Sequence, residues 1–138
     1  MKQDITVLIR ELRSEYIKNG LANNYEEINC GLCNDFAEEI EYRFNGTVEI
    51  LSNDHFVEER EGLDGWNGDE QDKWVKKWLK VYDSMPPYPL TVEKLTDEIR
   101  GYHCWVYSDG LHYDAECPEG VKNMFDLPFF QRYLACEQ

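Results

Sequence analysis

Apolar residues at helical spacing predict two amphipathic helices in the N-terminal third of the chain. The first is predicted over residues 3–19, with Gly20 following as a stop signal. The second runs from Cys33 to about Phe44. Their apolar stripes consist of Ile5, Leu8, Ile9, Leu12 and Tyr16 in the first helix, and of Phe36, Ala37, Ile40 and Phe44 in the second. The stretch 21–32 between them is rich in Asn and Gly and predicts a polar connection.

The middle of the chain alternates between predicted regular elements and polar segments. Residues 47–51 have the composition of a β-strand. The acidic, Gly-interrupted segment 54–72 predicts a solvated loop, with a lid or an acidic contact surface as alternatives. Helices are predicted over 72–83 and, after a Pro-rich break, over 91–99. The first of these two helices carries an aromatic stripe typical of a core-facing side, made of Trp74, Trp78 and Tyr82.

The C-terminal third contains the clearest β-hairpin of the sequence. Two strand-like runs, 102–108 and 111–116, flank Asp109-Gly110, a dipeptide that favours the two-residue turns of hairpins. Residues 118–120 then predict a turn, and 127–134 predict a last short helix or edge segment. This succession of helices and hairpin predicts an α+β fold in which N-terminal helices pack on a small antiparallel β-sheet.

The hairpin brings a histidine and a carboxylate to one side of the sheet. With Asp109-Gly110 as the turn, His103 lies opposite Glu116 and diagonal to Asp114. A turn one residue earlier would place His103 directly opposite Asp114. Both registers leave His103 and Asp114 on the same face, since side chains alternate along a strand.

Length and composition bound the class of protein. We expect one domain over residues 1–138 with an ordinary core, because 42% of the residues are hydrophobic and 14% aromatic. The net charge of −14 argues against direct nucleic-acid binding and is most simply a solvated acidic surface. Attraction of a basic partner, such as a basic peptide or protein substrate, is the alternative. No apolar run approaches a membrane span and no signal peptide is visible, so we expect a cytoplasmic protein without membrane insertion.

The five cysteines are interpreted as reduced thiols. Cys30 and Cys33 form a C-x-x-C, and Cys104 with Cys117 would complete a four-thiolate zinc site. Because Cys104 and Cys117 are split across the hairpin, whereas structural zinc sites use two close pairs, we favour the absence of a metal site over this alternative. A reversible disulfide between Cys30 and Cys33 is a further alternative.

Three residues suit covalent cysteine chemistry. Cys33 opens a predicted helix, where the positive end of the dipole favours a thiolate. The imidazole of His103 can take the thiol proton, and the carboxylate of Asp114 can orient that imidazole. The other two histidines, His55 and His112, have no matching partners in the sequence and are interpreted as surface or hairpin-face residues.

Short motifs around these residues resemble the core of transglutaminase-like proteins, within the papain-like cysteine-enzyme superfamily. The motifs are Gly31-Leu32-Cys33-Asn34-Asp35-Phe36-Ala37, His103-Cys104-Trp105-Val106, and Gly110 followed by Tyr113-Asp114. The resemblance covers about a quarter of the chain. It implies a papain-like fold in which a helix with a nucleophilic cysteine packs on an antiparallel sheet carrying His and Asp.

The resemblance implies a catalytic triad of Cys33 as nucleophile, His103 as base and Asp114 as orienting group. Glu116 is the reserve for the orienting role. The backbone N–H of Cys33 is the default oxyanion donor, with the Asn29 side chain as an alternative. The implied function is a cysteine-dependent amide hydrolase or acyl transferase (a peptidase, deamidase or transglutaminase-like enzyme) that requires no cofactor. The competing hypothesis is a non-catalytic acidic inhibitor on a degenerate enzyme scaffold, which binds a basic site of a partner protein.

Overall fold

The computed structural model describes residues 4–53, 68–86 and 102–134. The described helices are α1 (Ile5–Lys18), α2 (Tyr25–Gly31), α3 (Cys33–Arg43), α4 (Gly68–Val81), a 3₁₀ turn (Met124–Asp126) and α5 (Pro128–Leu134). The described strands are β1 (Glu49–Ser52), β2 (Cys104–Ser108), β3 (Leu111–Asp114) and β4 (Cys117–Val121). The predicted helix 91–99, His55, Cys136 and most of the acidic segment lie outside the described residues.

The four strands form one antiparallel sheet in the order β1-β2-β3-β4. The α+β class and the small antiparallel sheet are therefore as predicted. The turn predicted at 118–120 is wrong, because these residues lie in β4. Pro118 had suggested a break, but β4 is last in the strand order, where a residue without an N–H donor is tolerated.

The polar connection predicted over 21–32 is also wrong, because α2 lies within it. The Asn24 side chain caps this helix by accepting the backbone N–H of Glu27 at 2.9 Å. Glu26 and Glu27 place negative charge at the positive end of the helix. Ile28 is fully buried and anchors the helix to the core. One buried apolar residue is too few to produce a visible 3.6-residue period. The sequence signal for this helix lay instead in the capping residue and the acidic first turn.

The sheet separates two hydrophobic clusters, because alternate residues of β2 point to opposite faces. Val106 and Cys104 belong to the cluster with α1, α2 and α3. Trp105 belongs to the cluster with α4, the 3₁₀ turn and α5. The predicted aromatic stripe of α4 packs against that second cluster, which agrees with a core role. This helix begins at Gly68, four residues before the predicted start.

Within the described ranges, no helix has both the length and the apolar character needed to cross a bilayer.

Candidate active site

The hairpin adopts the first of the two predicted registers. Tyr107 pairs with His112 and Ser108 with Leu111, so Asp109-Gly110 is the two-residue turn. Both turn residues have positive φ, 53° for Asp109 and 81° for Gly110, as a hairpin turn of this twist requires. The register brings the residue before β2 and the last residue of β3 to the same face, and these are His103 and Asp114.

His103 and Asp114 form a buried pair. His103 Nε2 lies 3.0 Å from Asp114 Oδ2, and the two side chains are 0% and 2% exposed. The other carboxylate oxygen, Oδ1, accepts the backbone N–H groups of Glu116 and Cys117, each at 2.9 Å. Because both oxygens are engaged, the carboxylate has one orientation. A neutral His103 must carry its proton on Nε2 in order to donate to Asp114.

The second ring nitrogen of His103 is exceptional. Among the described residues, His103 Nδ1 is the one buried side-chain nitrogen or oxygen without a hydrogen-bond partner. Burial opposes a charged imidazole, but the hydrogen bond with Asp114 and the adjacent Cys33 thiol outweigh it and raise the pKa of His103. The Cys33 thiol therefore lies beside the ring without an aligned hydrogen bond to Nδ1.

Cys33 is the first residue of α3 and is 5% exposed. One residue, Leu32, separates it from the end of α2. The thiol thus lies at a helix N-terminus, where the partial positive charge of the first turn favours an anion. The packing of α3 against β1 and β2 brings this position to His103.

Aromatic rings and one amide hold His103 in place. The Phe129 ring of α5 stacks on the imidazole at 4.4 Å between centroids, with an angle of 22°. Trp105 is nearly parallel at 5.8 Å. At the end of β1, Asn53 Oδ1 accepts the His103 backbone N–H at 2.8 Å. Neither Phe129 nor Asn53 was predicted for the site, since both come from elements distant in sequence from the hairpin.

The Glu116 side chain is not in the orienting role considered for it, and it is bound instead to Asn29. The Glu116 side chain contacts Asn29 and Arg132, and the carboxylate that is hydrogen-bonded to His103 is that of Asp114. Asn29 Nδ2 donates to Glu116 Oε1 at 2.8 Å, and this amide is 1% exposed. This hydrogen bond uses one of the two N–H groups of the Asn29 amide. The backbone N–H of Cys33 stays the predicted oxyanion donor, with the Asn29 side chain as the alternative.

Of the two interpretations of His112, the hairpin face is confirmed and the surface is wrong, because the residue lies in β3 and is fully buried. It is 0% exposed, and its Nδ1 accepts the indole N–H of Trp105 at 2.9 Å. Its Nε2–H donates to the backbone carbonyl of Tyr82 at 2.9 Å, with Ser84 Oγ at 3.3 Å. Burial lowers the pKa of His112, so a neutral ring joins the hairpin to the end of α4.

Four cysteines lie in the described part of the chain, and none of them forms a disulfide: Cys30, Cys33, Cys104 and Cys117. Cys104 is buried and donates to Asn34 Oδ1 at 3.7 Å. Burial raises the pKa of Cys117 to about 11. In the described parts of the chain, no group of three or more His, Cys, Asp or Glu residues is arranged to hold a metal ion, which includes the four thiols considered for zinc.

Comparison with protein-family models, with curated proteins and with solved structures finds no match for this chain. The function must therefore be argued from the geometry and chemistry of the site.

Proposed function

We propose that Cys33, His103 and Asp114 form the catalytic triad of a cysteine-dependent amide hydrolase or acyl transferase, on a papain-like core of the transglutaminase-like type. One observation carries the proposal. A buried imidazole uses one nitrogen for a fixed carboxylate and keeps the other unbonded beside a thiol at a helix N-terminus. An unsatisfied buried nitrogen is costly for stability, and such costs are concentrated at functional sites.

The proposed reaction follows from the tautomer of His103. With the proton on Nε2, Nδ1 accepts the proton of the Cys33 thiol, and Asp114 stabilises the imidazolium. The thiolate attacks the amide carbonyl carbon to form a tetrahedral oxyanion. The oxyanion collapses as the C–N bond breaks, and His103 returns the proton to the leaving amine. Water or a second amine then attacks the thioester and releases Cys33.

The acyl acceptor decides among the three activities. Water on a peptide thioester gives proteolysis, water on a Gln-derived thioester gives deamidation, and an amine gives transfer. The net charge of −14 favours a basic peptide or protein as substrate. Incubation with Gln-containing basic peptides, with and without a primary amine, separates the three products by mass.

Cysteine alkylation tests the triad directly. We expect iodoacetamide at pH 7 to modify Cys33 faster than Cys30, although Cys33 is buried and Cys30 is exposed. Cys30 is exposed as a residue, but partial desolvation of its sulfur raises the pKa of the thiol and makes it a slow internal reference. His103→Ala should slow modification of Cys33 about 100-fold and leave Cys30 unchanged, as expected for loss of a general base. Rates are read for each cysteine by mass spectrometry.

The opposite result would favour the competing function. If Cys33 reacts more slowly than Cys30 and His103→Ala changes neither rate, the triad is inert. The acidic surface would then be the candidate functional feature. The exposed side of α3 contributes Asp35, Glu38, Glu39 and Glu41 to that surface. A non-catalytic binding protein would keep its function in Cys33→Ala and lose it on reversal of these charges.

A further inference from the structure

The turn that orients Asp114 is held by three helices. This turn, residues 114–117, joins β3 to β4. Arg13 of α1 donates to the backbone carbonyl of Ala115 at 3.1 Å. The other two helices, α2 and α5, both reach the turn through the Glu116 side chain. These hydrogen bonds from three helices to two adjacent residues indicate that the position of this turn is constrained by the helices, not by the hairpin alone.

Glu116 is the centre of this arrangement. Arg132 of α5 donates to both of its carboxylate oxygens, from Nη1 and Nη2, each at 2.9 Å. Asn29 of α2 donates to one of the same oxygens. The Glu116 side chain is 16% exposed, so this two-bond ion pair is partly shielded from water. Meanwhile the backbone N–H of Glu116 donates to Asp114.

The two helices attached to Glu116 both lead to the reacting groups. α2 ends at Gly31, and one residue, Leu32, separates it from Cys33. α5 supplies Phe129, whose ring stacks on His103. Contacts through Glu116 thus connect the orientation of Asp114, the stacking surface of His103 and the helix that leads to Cys33. A shift of α5 would move the Phe129 ring that stacks on His103. Through the Arg132–Glu116 ion pair, it would also disturb the turn that holds Asp114.

We propose that Arg132 is a positioning residue of this site: its paired hydrogen bonds to Glu116 hold the 114–117 turn and α5 together, and so keep His103 aligned between Asp114 and Cys33. The consequence for catalysis rests on the proposed function. The alignment of His103 with Asp114 does not.

Arg132→Gln tests the role, because positioning and plain electrostatics predict shifts of opposite sign in the pH midpoint of the His103 titration. By electrostatics alone, removing the positive charge of Arg132 can only raise the pH midpoint of the His103 titration. Loosening the Asp114 hydrogen bond would lower that midpoint, since this bond favours the imidazolium. We expect a fall of about 0.5 pH unit or more. The titration is followed by NMR of the imidazole nitrogens in a Cys33→Ser background, where the thiol no longer contributes.

The matched control is Arg10→Gln. Arg10 forms an ion pair with Glu119 of the neighbouring strand β4, at 2.6 Å, but both side chains are more than half exposed. This variant removes the same charge and should leave the midpoint unchanged. A midpoint that rises or stays constant in Arg132→Gln, or that falls equally in Arg10→Gln, would overturn the positioning role.

Arg132→Lys keeps the charge and loses the two-bond geometry. It should lower the His103 midpoint by a smaller amount. If Arg132→Gln does not fold, a fall in Arg132→Lys that is absent from Arg10→Gln supports the positioning role, and no fall overturns it. With Cys33 present, Arg132→Gln should also slow its alkylation about threefold or more. A lowered His103 midpoint without fast alkylation of Cys33 in the unmodified protein would support the positioning role and reject the proposed triad.

Discussion

Two histidines on the same face of one hairpin have opposite environments. His103 and His112 are both 0% exposed. His112 has both ring nitrogens hydrogen-bonded, to the Trp105 indole and the Tyr82 carbonyl. His103 has one nitrogen on Asp114 and the other without a partner. Burial lowers the pKa of His112, whereas the Asp114 bond and Cys33 overcome burial and raise the pKa of His103.

The difference separates a structural group from a candidate reactive one. Burial alone does not distinguish the two rings, since both are inaccessible to water. What distinguishes them is the hydrogen-bond inventory: a ring with two satisfied nitrogens holds elements together, and a ring with a free nitrogen beside a thiol can accept a proton. Three substitutions test this distinction.

The largest expected effect comes from Asp114→Asn. Two backbone N–H groups hold the Oδ1 position, so the amide oxygen of Asn must lie there and its NH₂ must face His103 Nε2. The imidazole proton is then displaced to Nδ1, where the ring can no longer accept the Cys33 proton. We expect Cys33 alkylation at pH 7 to slow about 100-fold, with the fold retained.

Asp109→Asn is the matched control, because it makes the same substitution at the exposed turn of the same hairpin. Asn tolerates the positive φ of that position, so neither stability nor the Cys33 rate should change. Equal Cys33 rates in the Asp114 and Asp109 variants would contradict the tautomer argument.

His112→Leu should have the reverse profile, with a large loss of stability and no change in reactivity. It leaves the indole N–H of Trp105 buried without an acceptor, whereas the Tyr82 carbonyl keeps the Ser84 hydroxyl as a donor. We expect the free energy of unfolding to fall by about 2 kcal/mol, measured by urea denaturation at pH 7. The Cys33 alkylation rate should stay within about twofold. A 100-fold slower rate would show that the two histidines are not functionally separate.

The smallest expected effect is in the pH dependence of stability. The folded pKa of His112 is lowered from 6.5, so below that pH the unfolded chain binds this proton more readily. Stability should fall with decreasing pH by at most about 1.4 kcal/mol per pH unit from this group. His103 has the opposite sign: its contribution is complete below 6.5 and is lost as pH rises through its raised folded pKa.

Urea denaturation at several pH values from about 5 to 6.5 measures the slope of the free energy of unfolding against pH. His112→Leu should have the flatter slope, because it lacks the group that must stay neutral. Identical slopes in the two proteins would contradict the assignment of acid sensitivity to His112.

Local patterns in the sequence predicted a large part of this arrangement. The apolar period indicated α1 and α3, and Asp109-Gly110 indicated the hairpin and one of its two possible registers. The placement of His103 and Asp114 on one face followed from strand alternation. The pattern failed for α2 and β4. These are short elements whose signals are a single apolar anchor in α2 and an edge proline in β4.

Periodicity assigns residues to faces within one element, and for this chain that was enough to pair His103 with Asp114. It carries no information on contacts between elements far apart in sequence. The approach of Cys33 to His103, the Asn53 bond to the His103 backbone and the Arg132–Glu116 ion pair all depend on how helices pack on the sheet. The burial of His112 depends on the same packing. One of its partners, Trp105, belongs to the hairpin, but the other, the Tyr82 carbonyl, lies at the end of α4. Packing is set by the sum of many weak contacts over the whole core, and no local pattern encodes that sum.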